Sequence, residues 1–153
     1  MLLSDALLAW IHFLLAFLLV GTLVAEIFIL RLPVDGRVAR LLTRVDLFYG
    51  VSAGLLIAAG VSRVIWGAKG WVYYQGQPFF WAKMATFAVV GLISILPTVT
   101  FLRWRRAAAS SDTFVAPPPE VKRIRSYVTG EVHLIAFLLL FAALMARGIG
   151  GSA

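Results

Sequence analysis

His12, Glu26, Asp46, Arg63, Lys83, Glu131 and His133 are ionisable side chains set within long apolar runs. A charge in hydrocarbon is costly, so such residues face a bundle interior or a cavity and mark function by default. Counting helical rise from the ends of the runs sorts them into two layers. His12, Arg63 and Lys83 lie within ~10 Å of one membrane boundary, and Glu26, Asp46, Glu131 and His133 lie a similar distance from the other. Residues fourteen apart differ by only ~40° of helical rotation, which puts His12 and Glu26 on one face of the first helix. Tyr49 shares a face with Arg63 in the same way, and His133 with Arg147. Glu131 and His133, two apart, point to nearly opposite sides, so only one of them can aim straight into the bundle.

A histidine with two cations in one layer suits a planar, apolar molecule that carries carboxylates. Haem or another porphyrin fits, because imidazole ligates iron, Lys or Arg pairs with propionates, and Leu, Phe and Ala supply apolar walls. A quinone head group is the second candidate. His12 and His133 differ in depth by ~12 Å of a ~30 Å core, which makes a haem shared between them awkward. Plainer accounts stand beside these. His12 can be satisfied by a neighbouring backbone or hydroxyl group, Arg63 and Lys83 can snorkel to water, and Glu26 and Glu131 can pair with Arg31, Arg103 or His133 in an ionic layer.

The elements that must position these residues follow from composition. With 61% hydrophobic and 14% charged residues, the chain of 153 residues reads as a single all-α domain, an integral membrane four-helix transmembrane bundle. The four runs cover Ala6–Leu30, Leu47–Trp66, Phe79–Leu102 and Tyr127–Ala146. The first lacks a basic leader and is followed by arginines, so it reads as a retained helix rather than a signal peptide. Arg31, Arg37, Arg40 and Arg44 in one connection, and Arg103, Arg105, Arg106, Lys122, Arg123 and Arg125 in the linker 103–126, share one side of the membrane. Basic connections stay in the cytoplasm, which places both termini and Gly67–Pro78 on the outer, periplasmic side of a bacterial inner membrane. The net charge of +7 is thereby assigned to lipid head groups and insertion, and nucleic acid is not an expected partner. No cysteine is present, which excludes disulfides, thiolate nucleophiles, iron–sulfur clusters and Cys-ligated zinc.

Three further stretches carry expectations. Trp66, Trp71, Tyr73, Tyr74, Phe79, Phe80 and Trp81 read as an aromatic belt at the head-group boundary, with a lid over an outward-facing site as the alternative. Ala107–Pro119 is small, polar and proline-ended, so it is expected to be mobile or extended, with Glu120–Ser126 opening the last helix. Gly50-x-x-x-Gly54 permits close helix approach, either in a homo-oligomer or inside the bundle.

The segment Leu8-Ala-Trp-Ile-His12-Phe-Leu-Leu-Ala, the stretch Phe80-Trp81-Ala-Lys83 and Arg125-Ser-Tyr-Val-Thr-Gly-Glu131 carry a resemblance. Over nearly its whole length the chain resembles a family of small bacterial four-helix membrane proteins with no assigned function. More remotely it is similar to the HemJ type of protoporphyrinogen oxidase and to the membrane domain of CopD copper-resistance proteins. In HemJ the opening helix holds an essential histidine, the third helix opens Trp-x-x-Lys, and a glutamate follows a basic stretch before the fourth. The resemblance implies catalytic roles for His12 and Lys83, with a b-type haem or porphyrin also contacted by Glu131.

The expected function is therefore haem b or porphyrin binding for electron transfer or porphyrin oxidation. His12 is the expected metal ligand, Lys83 and Arg63 the propionate partners, and Glu131 and His133 further cofactor-side candidates. An enzyme of this kind would be a haem- or quinone-linked oxidoreductase, since no nucleophile with a paired base and no phosphate-binding glycine loop is present. One rival is transport or metal handling like CopD, although Met1, Met84 and Met145 form no cluster of soft ligands. A structural or assembly subunit, with membrane lipids as its main contacts, is the other.

Overall fold

The computed structural model describes residues 2–67 and 70–149. Met1, and Ala68 and Lys69 of the aromatic connection, lie outside the described residues. Five helices follow in order: α1 (Leu2–Ile29), α2 (Gly36–Trp66), α3 (Gly70–Gln75), α4 (Pro78–Ser110) and α5 (Pro118–Ala146). Asp35 caps α2, its carboxylate accepting from the backbone N–H groups of Arg37 at 2.9 Å and Val38 at 2.8 Å. Prolines open α4 and α5, where a missing N–H costs nothing.

Among the described residues, α1, α2, α4 and α5 are long and apolar enough to cross a membrane. At ~1.5 Å per residue their 28 to 33 residues exceed the ~30 Å of hydrocarbon. In α2, α4 and α5 the excess projects at one end, where Arg37, Arg40 and Arg44 of α2 and Arg103, Arg105 and Arg106 of α4 are exposed. We call this the basic end. It is why the helices outrun the apolar runs: hydropathy stops where arginines begin, but the hydrogen-bonded helix does not.

The long helices pack in a closed ring, α1 on α2, α2 on α4, α4 on α5, and α5 back on α1. This is the up-and-down arrangement of sequential antiparallel neighbours. The start of α1 and the end of α5 lie at the end away from the basic end, and residues 150–153 are outside the described residues. There Asp5 approaches Gly67 closely, and the Tyr73 hydroxyl of α3 donates to the Met145 carbonyl of α5 at 3.2 Å. Leu19 and Leu23 of α1, Leu56 of α2, Val90 of α4 and Ile135 of α5 fill the middle of the bundle. Large apolar groups cover the outside as well. Phe17 is 80% and Leu92 69% exposed, a surface that only lipid would tolerate over such an extent.

The expected loose linker is corrected at two levels. Helix α4 runs on to Ser110, and the remainder is tied down: Ala116 N–H donates to the Val34 carbonyl at 2.9 Å, and Asp35 and Val115 form an antiparallel bridge. Val34 and Ala116 are buried and Phe114 packs against the core, so a few apolar residues among the small and polar ones anchor the segment. Glu120 does stand in the first turn of α5. It takes the Trp104 indole N–H at 3.0 Å and pairs with Arg103, with Arg123 at 3.9 Å.

Gly50 and Gly54 also depart from one expectation. Nothing stands within 4 Å of a Cβ at either position, and both are exposed, so they bring no second helix close within the bundle. The aromatic connection divides between the two readings offered for it. Trp66, Trp71 and Trp81 are exposed as a belt requires, whereas Tyr74 and Phe80 are buried beneath them in edge-to-face and tilted contacts.

Candidate functional site

At the terminal end, α1, α2 and α4 bring His12, Arg63 and Lys83 within electrostatic reach of one another. The imidazole lies against α2 at Gly60, where a Cβ would stand 3.5 Å from His12 Cε1, in ordinary contact. Among the described residues, His12 Nδ1 and Arg63 Nε are enclosed without a hydrogen-bond partner, and so is Gln77 Oε1 just before α4. The Lys83 ammonium sits 5.7 Å from the centre of the Phe80 ring, a cation–π distance. Among the described residues, ion pairs form only at Glu120, so neither Arg63 nor Lys83 is neutralised by a carboxylate. An enclosed polar atom without a partner costs about 1–3 kcal/mol, and this cluster holds more than one. Its chemistry is that of an anion receptor with an imidazole beside it.

Nearer the basic end the sign reverses. Glu26 of α1 and Glu131 of α5 are each 1% exposed and Asp46 of α2 is 7% exposed. They lie within electrostatic reach of one another and of the buried Tyr49 phenol. Thr98 of α4 donates to Asp46 Oδ1 at 2.9 Å. Among the described residues Glu26 Oε1 has no hydrogen-bond partner, and Glu131 has only the Tyr49 hydroxyl within hydrogen-bonding reach.

The ionic layer expected for Glu26 and Glu131 is corrected by where their cations went. Arg31 lies over the Phe28 ring, 4.9 Å from its centre, and Arg103 has turned to Glu120. His133 is exposed on the outside of α5, its Nδ1 2.7 Å from the Thr129 carbonyl one turn back. Two residues of helical phase separate it from Glu131, and that offset carries Glu131 in and His133 out. A cleft of about 460 Å³ between α2 and α4 reaches Asp46, Tyr49, Ser94 and Thr98 from the lipid-facing side.

The two layers thus collect His12, Arg63 and Lys83 in one place and Glu131 in another, with His133 in neither. Gln77, Ser94 and Thr98 carry no expectation from the sequence, and Gly60 counts there only among the small residues near Gly50 and Gly54 that permit close helix approach. Ser94 and Thr98 continue the Phe87–Val90 stripe at helical spacing, a signal available in the sequence, whereas Gln77 acquires meaning only from packing. Among the described residues, no three His, Cys, Asp or Glu side chains converge on a position for a metal ion. No curated protein and no solved structure matches the chain. One family model does, over residues 4–150, and on that match, which covers all four spanning helices, the chain belongs to the family described as predicted membrane protein (DUF2214).

Proposed function

We propose that this multi-pass membrane protein binds a porphyrin, haem b in the first place, at the His12, Arg63 and Lys83 cluster, and serves electron transfer or porphyrin oxidation. The observation that carries this reading is an enclosed, unpartnered imidazole nitrogen flanked by two cations that no carboxylate neutralises. The donor set suits the group: His12 would hold the metal, Lys83 and Arg63 the propionates. Bound there, haem would supply one-electron redox chemistry. The chain's own part is to hold the Lys83 ammonium by the Phe80 ring and to keep the imidazole between α1 and Gly60. Glu131 lies with the acids of the other layer and is left out of this site, as is His133.

The test is the visible spectrum of the full chain purified in mild detergent from haem-replete cells. A Soret band that shifts on reduction is expected. His12→Ala should remove or greatly weaken it, Lys83→Met should lower haem retention, and His133→Ala should leave most of it. A wild-type protein that takes up no haem on reconstitution, or a band lost with His133 and kept without His12, overturns the reading.

A further inference from the structure

The acids near the basic end are not used by that site. Glu26, Asp46 and Glu131 come from three different helices, α2 adds Tyr49, and α4 contributes only the hydroxyls of Ser94 and Thr98. No lysine or arginine forms an ion pair with any of the three acids among the described residues. Buried carboxyl groups without counter-charges must be neutralised by protons or by a cation that arrives from elsewhere.

The cleft between α2 and α4 is the route by which a cation can arrive. It opens on the lipid-facing surface, where Leu47 is 65% and Ile57 52% exposed along its rim. Asp46 lies eleven residues from Ile57, so the cleft extends for ~16 Å along the membrane normal. Its polar groups gather at one end and the rest is apolar, with Phe87 and Tyr49 offering rings. Its volume of about 460 Å³ is that of a site for a drug-sized molecule.

We propose that this cleft binds a lipophilic cation, an amine or quaternary onium group on an apolar body, which enters from the membrane and sets its charge against Asp46, with Glu26 and Glu131 behind. A neutral quinone head would find hydroxyl partners here but would leave the acids to protons alone, whereas an onium group supplies the charge that an ionised Asp46 lacks among the described residues. The onium charge also gains from the aromatic faces. No covalent bond changes in the ligand: the cation replaces a proton on the carboxyl cluster, and that proton leaves to solvent. The proposal is independent of haem, because His12 and Glu26 stand ~21 Å apart along α1.

Tetraphenylphosphonium is the probe, titrated calorimetrically into the full chain in lipid nanodiscs. Saturable binding is expected, weakening as pH falls and accompanied by proton release seen as a dependence on buffer ionisation enthalpy. Asp46→Asn should weaken it roughly tenfold or more by removing a charge from a low-dielectric site. Gly91→Leu keeps every charge but fills the cleft from a position where nothing stands within 4 Å, and it should weaken binding as well. Absence of saturable binding to the folded wild type overturns the proposal. So does binding that survives Gly91→Leu, or a neutral decyl quinone that occupies the cleft unaffected by the phosphonium.

Discussion

The acid in the first turn of α5 and the acid three turns further on make opposite use of the same side-chain chemistry. Glu120 meets Arg103, Arg123 and the Trp104 indole, which is how a structural carboxylate is satisfied. Glu131, buried to 1% exposure, has the Tyr49 hydroxyl beside it but, among the described residues, no cation, and its neighbours Glu26 and Asp46 carry the same sign. The His12, Arg63 and Lys83 cluster repeats the second pattern with positive charge. If these layers existed only to fix helix register, the simplest bundle would put the acids and the cations at one depth. Here they stand ~21 Å apart with Leu19, Leu56, Val90 and Ile135 between them, so neither layer can neutralise the other.

The orientation of the two layers gives the largest expected effect, because it is all or none. Periplasmic reporters fused after Ala146 should be active, and those inserted between Ala107 and Pro117 inactive, since basic connections resist translocation. The reverse pattern would exchange the sides of both layers. Stability gives the next effect. Glu120→Ala should lower the unfolding free energy in detergent by about 1–3 kcal/mol, because it strands the buried Trp104 N–H. An unchanged unfolding midpoint would show that this acid is no more structural than Glu131. Glu131→Gln should be the mildest, within about 1 kcal/mol of wild type in either direction. A buried ion pair broken at that position would instead cost about 3–5 kcal/mol, so a loss of that size would restore a structural role to Glu131.

Much of this contrast was legible before packing was known, and the parts that were not share a cause. The depth of each ionisable residue is a count along a helix, so the two layers could be separated from sequence alone. The pairing of charges was not legible. Arg31 and Arg103 are near enough in sequence and depth to serve Glu26 or Glu131, but Phe28 and Glu120 hold them instead. Similarly, the segment after Ser110 reads as polar and loose, because the hydrogen bond from Ala116 to Val34 joins residues far apart in the chain.

The sequence by itself determined the membrane class, the four spans, their antiparallel order and the two depths, because hydropathy and rise per residue are local properties of a helix in lipid. Only the tertiary structure decided which of Glu131 and His133 turns inward, that His12 packs at Gly60, and that a cleft between α2 and α4 leads to Asp46. Those outcomes depend on how each helix is rotated about its own axis, and rotation is set by contacts with neighbours that no single helix carries in its own pattern.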